Sequence, residues 1–150
     1  MNEAETMVEL VSKIQCEGNW QELIDKIPYA KFIGISVLSM GDEIVFKMDP
    51  LASNTGNPIL PALHGGVIAG FMETAATLNM MMRLDVVQVP KIIDLTVDYL
   101  RSGAMKDTYA TCILNRQGRR VANVQVLAWQ KNRDTPIASA RAHFLFDDDE

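Results

Sequence analysis

The chain has 150 residues, 48% of them hydrophobic and 22% charged, with a formal net charge of −5. That length and balance suit one soluble globular domain with a sizeable core. The acidic balance argues against nucleic acid as a bulk partner, because no basic face dominates.

The opening "MNEAETMVEL" carries acids where a secretory leader carries basic residues, so a cytoplasmic location is expected. Cys16 and Cys112 lie far apart with no CxxC spacing, which reads as buried or incidental thiols in a reducing compartment. Between residues 3 and 27, Val8, Val11, Ile14, Trp20, Leu23, Ile24 and Ile27 recur at helical spacings among charges. The pattern predicts one or two amphipathic helices, broken near Gly18 and ended before Pro28. The runs "FIGISVLSM" and "EIVFKMD" are β-rich and meet at Gly41 and Asp42, a predicted hairpin. Residues 50–63 contain Pro50, Gly56, Pro58 and Pro61 and are expected to be loop.

From Gly65 to Met82 the chain is apolar or small and carries one charge, Glu73. The stretch is about long enough to span a bilayer, but a central charge costs roughly 2.5–3.5 kcal/mol on insertion. A helix buried inside the protein and running to about Arg83 is the expected form. After Pro90 the period changes to 2. Ile93, Leu95, Val97 and Tyr99 are expected to face one way and Asp94, Thr96 and Asp98 the other. The strands "TYATCILN", "VANVQVLAW" and "IASARAHFLF" follow, the last with Ala138, Ala140 and Ala142 on one face. Short turns predict an antiparallel meander of these four, and the end "FDDDE" reads as a solvated tail. The order suggests an α+β domain in which a curved sheet of six strands wraps one helix, with an N-terminal helical extension over 1–28 and a core over 30–146.

Such a wrapped helix explains the apolar run but not Glu73. A glutamate there is satisfied by backbone or a basic partner, or merely reaches the surface; left buried and unpaired its pKa rises, because burying an unpaired carboxylate costs several kcal/mol. Carboxylates in such surroundings also serve as general bases or nucleophiles. Thr77 lies four residues on, on the same helical face, where its hydroxyl can hold the carboxylate or a water. Gly65 and Gly66 open the helix, and without side chains they let a ligand reach the unsatisfied N–H groups of the first turn. That is oxyanion-hole chemistry. Eight residues of helix separate Gly65 from Glu73 by about 12 Å, too far for both to touch one carbonyl carbon. Two antiparallel copies of the helix would set Gly65 of one chain opposite Glu73 of the other, placing the site across a dimer interface.

The motif His64-Gly65-Gly66, with Glu73 nine residues after the histidine and Thr77 one turn beyond, resembles that of the hotdog-fold thioesterases. The phenylacetate-degradation (PaaI-like) and 4-hydroxybenzoyl-CoA types are the most similar. The resemblance implies a hotdog fold over residues 30–146 and hydrolysis of an acyl-CoA to free acid and CoA, with no cofactor. It further implies that the Gly65 N–H polarises the thioester carbonyl, that His64 fixes the loop, and that Glu73 of the partner chain attacks or activates water with Thr77 orienting it. The family commonly has Asn or Gln six residues before the histidine; here that place is Pro58. The adjacent Asn57 fills the role if the loop carries one extra residue, with Asn54 as a second candidate. Arg101, at a strand end, is the favoured basic residue for the CoA phosphates beside Gly66, among Arg83, Lys91, Arg119 and Arg120. Ile59, Leu60, Met80 and Met81 are candidates for an acyl slot, although buried methionines are commonly plain core. A homodimer or dimer of dimers is implied, with neither nucleic acid nor membrane as a partner.

Two other readings stand beside this one. A non-catalytic acyl-CoA-binding hotdog would keep Glu73 as a satisfied polar residue. A dehydratase needs its histidine on the loop well before the helical acid, and His64 is too close to Gly65. His64 and His143 are the only histidines, too few for a His-built metal site, and no GxSxG elbow occurs. His143 is expected to be structural or exposed.

Overall fold

The computed structural model describes residues 6–40, 42–84 and 88–146. The acidic tail at 147–150, the first five residues and Gly41 of the predicted hairpin turn lie outside them. Helix α1 (Met7–Glu17) starts on a reciprocal cap: the Glu9 N–H donates to Thr6 Oγ1 at 3.2 Å, and the Thr6 N–H to Glu9 Oε2 at 2.9 Å. It ends on Gly18, left-handed at φ 75°. Helices α2 (Trp20–Lys26) and α3 (Pro28–Ile33) follow. Pro28 opens α3 instead of merely ending what precedes it, since a proline at the first helical position gives up an N–H that has no partner anyway. The predicted strand at "FIGISVLSM" is accordingly shorter: Phe32 and Ile33 are helical, Gly34 turns the chain at φ 82°, and the strand begins at Ile35.

Strands β1 (Ile35–Met40) and β2 (Glu43–Met48) form the expected hairpin pair, with Ile35 opposite Met48. The proline-rich stretch is more ordered than expected. A short 3-10 turn at Ala52–Asn54 leads into β3 (Thr55–Asn57), which pairs with β4 (Ala62–Leu63). Then come helix α4 (Gly65–Arg83) and strands β5 (Lys91–Tyr99), β6 (Thr108–Gln117), β7 (Val121–Trp129) and β8 (Ala138–Leu145).

The six-stranded sheet has the order β1-β2-β6-β7-β8-β5, antiparallel throughout. This corrects the predicted four-strand meander: only β6, β7 and β8 follow one another, and β5 crosses to the far edge beside β8. The crossover makes room for α4 against the concave face, the hotdog architecture that the resemblance implied. Ile92, not Ile93, turns toward the core. The register slips between Ile92 and Asp94 opposite Phe144 and His143, so Ile93 is an extra, exposed residue in a bulge. Leu95 and Val97 face inward as predicted, and Ala138, Ala140, Ala142 and Phe144 form the buried floor.

Helix α4 buries Ile68, Phe71, Met72, Ala75, Ala76, Leu78, Met80 and Met81, so the two methionines named for an acyl slot are core. It is not apolar all round. Gly66, Ala69, Gly70, Glu73, Thr74 and Thr77 form a stripe that the sheet leaves uncovered, and Glu73 is only partly buried in the single chain. The N-terminal helices pack into the same core through Leu10, Val11, Ile14, Leu23, Ile24 and Ile33; Val8, on the opposite face of α1, is exposed. At the β1 edge the Val37 N–H is satisfied by Gln21 Oε1 at 3.0 Å, which blunts that edge against pairing. Among the described residues no helix is long and apolar enough to cross a membrane.

The two thiols differ. Cys16 is exposed, contrary to a buried reading, whereas Cys112 packs against the core and burial pushes its pKa up to about 12, offset only in part by the Arg83 charge. Because only the thiolate attacks disulfides, Ellman's reagent at pH 8 is expected to titrate Cys16 alone in the native protein and both thiols after unfolding. Rapid native reaction of both would contradict the packing of Cys112.

Candidate functional site

The site is built around the first turn of α4. His64 is its N-cap, in extended conformation (φ −64°, ψ 131°), and its Nδ1 accepts the Gly66 N–H at 2.9 Å, so Nδ1 is the unprotonated ring nitrogen. The His64 carbonyl accepts the N–H groups of Val67 and Ile68 at 3.0 and 3.1 Å. The remaining N–H of the turn, that of Gly65, donates to no group among the described residues. It stands at the positive end of a 19-residue helix, aimed at whatever oxygen approaches.

Three chain segments fix His64. Its N–H donates to the Asn54 carbonyl at 2.9 Å, and the neighbouring Leu63 N–H donates to the Gly103 carbonyl at 2.9 Å. Gln130 pins the following residue through both Ala104 backbone groups, at 3.0 and 2.6 Å. On the other side, a Cβ on Gly56 would lie 2.5 Å from His64 Cα. That glycine was not singled out from the sequence; a glycine inside a short extended run is the available signal of close backbone approach. Because the obstacle is backbone, Gly56→Ala is expected to destabilise the protein by about 1–3 kcal/mol and to displace His64 and Gly65. Thermal melting and activity together check this, and an unshifted transition with full activity would contradict it.

Beside Gly65 lies a cleft of about 350 Å³, lined by Leu63, Gly65, Ile68, Tyr99, Arg101 and Gly103. Arg101 is therefore brought to the Gly65 end of α4, where one guanidinium nitrogen is anchored on the Pro136 carbonyl at 2.7 Å. Tyr99, which sequence reasoning placed only as an inward strand residue, is half-exposed, and its hydroxyl donates to the Gly65 carbonyl at 2.8 Å.

Glu73 lies eight residues along the same helix, about 12 Å from Gly65 at 1.5 Å per residue, and its carboxylate makes no hydrogen bond or ion pair among the described residues. The Thr77 hydroxyl donates to the Glu73 main-chain carbonyl at 3.0 Å. Its donor is thus committed to the backbone, while its lone pairs can still accept. One turn before Glu73, Tyr29 of α3 lies across Gly70, where a Cβ would meet the phenol oxygen at 2.6 Å. The N-terminal helices therefore reach the uncovered stripe of α4.

The remaining candidates are less close. Asn57 is exposed, and its Oδ1 holds a turn by accepting the N–H groups of Ile59 and Leu60 at 3.0 and 3.2 Å. Asn54 is fully buried, its Nδ2 donating to the Ile33 carbonyl at 2.9 Å. Ile59 is 88% exposed and Leu60 73%, on the turn between β3 and β4. His143 sits on the outer sheet face, hydrogen-bonded to Asp94 at 2.8 Å and Asn123 at 2.7 Å. Among the described residues no three His, Cys, Asp or Glu side chains gather as a metal-holding group.

The family model described as the thioesterase superfamily matches residues 60–137, which span β4, α4 and the strands that flank the cleft. A medium/long-chain acyl-CoA thioesterase of Escherichia coli, YigI, is 30% identical over 135 residues, covering 79% of this chain and 85% of that protein. Among solved structures, a Chromobacterium violaceum protein superposes with a TM-score of 0.79 at 37% identity, covering 95% of this chain and 99% of that one. The phenylacetic acid degradation protein PaaI of Thermus thermophilus gives 0.67 at 18% identity over 79% of this chain and 97% of its own, a likeness of fold.

Proposed function

Because this chain belongs to the thioesterase superfamily, we propose that it hydrolyses acyl-CoA thioesters to free carboxylate and CoA, with medium and long acyl chains as the substrate class suggested by its Escherichia coli relative. The observation that carries the reading is the Gly65 N–H at the head of α4, without an acceptor among the described residues, in a glycine that lines a cleft together with Arg101. A thioester carbonyl is electrophilic enough for one oriented donor and one carboxylate to act on it without a Ser-His-Asp triad.

In this reading the Gly65 N–H donates to the carbonyl oxygen and stabilises the charge that grows there as the tetrahedral adduct forms. Glu73 from a second copy approaches the carbon. It either bonds to it, expelling the CoA thiolate before water releases the acid, or takes a proton from a water that attacks. Thr77 accepts a hydrogen bond from that water or lies beside the carboxylate, and Asn57 keeps only its amide N–H groups for the same purpose. Arg101 meets the CoA phosphates at the cleft mouth, beside the bare Gly66 backbone.

In this reading a second copy is required because eight residues of helix separate the two groups by about 12 Å. Two features support assembly. The uncovered stripe of α4 carries Glu73 among small residues, and β5 is the sheet edge opposite the blunted β1, with exposed Ile93, Tyr99 and Leu100 on it or beside it. Unpaired edges invite pairing with another chain. A homodimer, or a dimer of dimers, in the cytoplasm completes the proposal, with residues 1–150 acting as one unit. Free-thiol release from a panel of C4 to C16 and aryl acyl-CoAs is the direct test. Turnover that rises with chain length supports the proposed class, and no turnover on any thioester would leave an acyl-CoA-binding protein instead.

A further inference from the structure

We propose that Tyr99 is a positioning residue for the oxyanion donor: with His64 it holds the Gly65–Gly66 peptide from both ends, fixing the first turn of α4 and with it the Gly65 N–H of the preceding peptide, beside the cleft. The inference rests on the thioesterase reading for its consequence, although its geometry is independent of it.

The carbonyl of that peptide accepts the Tyr99 hydroxyl at 2.8 Å, and its N–H, on Gly66, donates to His64 Nδ1 at 2.9 Å. The phenol end of the ring also packs against the turn, with Cζ and the hydroxyl oxygen 3.4 Å from where a Gly65 Cβ would stand. A helix opening on two glycines frays readily, because glycine gains more freedom than any other residue on release. Tyr99 is the last residue of β5. Its hydroxyl therefore ties the first turn of α4 to the sheet, and not only to the helix's own cap. An oxyanion donor works only at about 2.7–3.1 Å from the developing charge, so letting this turn drift removes stabilisation that appears in the transition state alone. The ring lines the same cleft as Arg101, so ground-state binding depends on the ring and the transition state on the hydroxyl.

Tyr99→Phe separates the two. It is expected to lower kcat about 10-fold or more, since misplacement near 1 Å can cost up to 10²-fold. KM, and the affinity for an inert S-alkyl-CoA thioether that has no carbonyl, should stay within about twofold of wild type. An unchanged kcat, or a loss shared equally by KM and thioether affinity, would overturn the inference. Amide hydrogen exchange reads the clamp without any substrate. The exposed Gly66 N–H should be protected in the wild-type protein and exchange about 10-fold faster in Tyr99→Phe. Random-coil exchange in the wild type, or equal protection in both, would overturn the clamp even if no thioester were turned over. Protection lost on substitution in a protein without turnover would sustain the clamp and sink only the thioesterase reading.

Discussion

Glu73→Gln is expected to lower kcat by about 10²–10⁴-fold, the range that a positioned proton-transfer or nucleophilic carboxylate contributes, while fold and assembly stay intact. Glu73 is partly buried in the single chain, and its carboxylate bonds to nothing among the described residues, so the amide leaves none of them without a partner. A change in stability within about 0.5 kcal/mol is expected for such a site. Steady-state kinetics beside a thermal melt check both halves. A variant that keeps its rate within a few-fold would show that Glu73 is a solvated residue on a helix face. A variant that loses rate and stability together would show that the carboxylate has a structural partner in the assembly.

Gly65→Pro removes the other half of the proposed chemistry. Proline is tolerated at the first helical position, and the residue before it must be extended, as His64 already is at φ −64° and ψ 131°. The Gly65 N–H has no acceptor among the described residues, so replacing it breaks none of the hydrogen bonds described above. The helix should therefore persist while kcat falls about 10²–10³-fold, the usual effect of deleting one oxyanion donor. Gly65→Ala is the control. It retains the N–H, and its Cβ meets the Tyr99 ring at 3.4 Å, so it should lose far less. Equal losses in the two variants would place the cause in crowding against Tyr99 and not in the missing donor.

Much of this site was legible before any coordinates. The His64-Gly65-Gly66 opening, the lone acid on the apolar helix and the long reach between them are local features, and in the proposed reading helical geometry asks for a second chain. The hairpin was legible from its β-rich runs and the later strands from alternation, for the same reason. Alternation says which face a residue occupies and nothing about which strand lies beside it, so the crossing of β5 to the far edge escaped notice. The bulge at Ile93 exists only in relation to Phe144 and His143 across the ladder. Pro28 is compatible with both the end of one helix and the start of the next, and the packing of Ala30 and Ile33 into the core settles it. Tyr99 and Gly56 owe their roles to contacts with residues 34 and 8 positions away, which no short window displays. Glu73 looked buried because its neighbours are apolar, yet the sheet covers only one side of α4.

The central claim is that each site takes its oxyanion donor from one chain and its carboxylate from another. Mixing two inactive variants tests it most directly: Gly65→Pro and Glu73→Gln proteins are dissociated in mild denaturant, combined in equal amounts and refolded together. Half of the randomly formed dimers are then mixed, and by two-fold symmetry each carries one site with both groups native and one with both altered. Thioesterase activity should return to about one quarter of wild type. If each chain carried its own complete site, no combination would restore one, and activity would stay at the level of the separate variants.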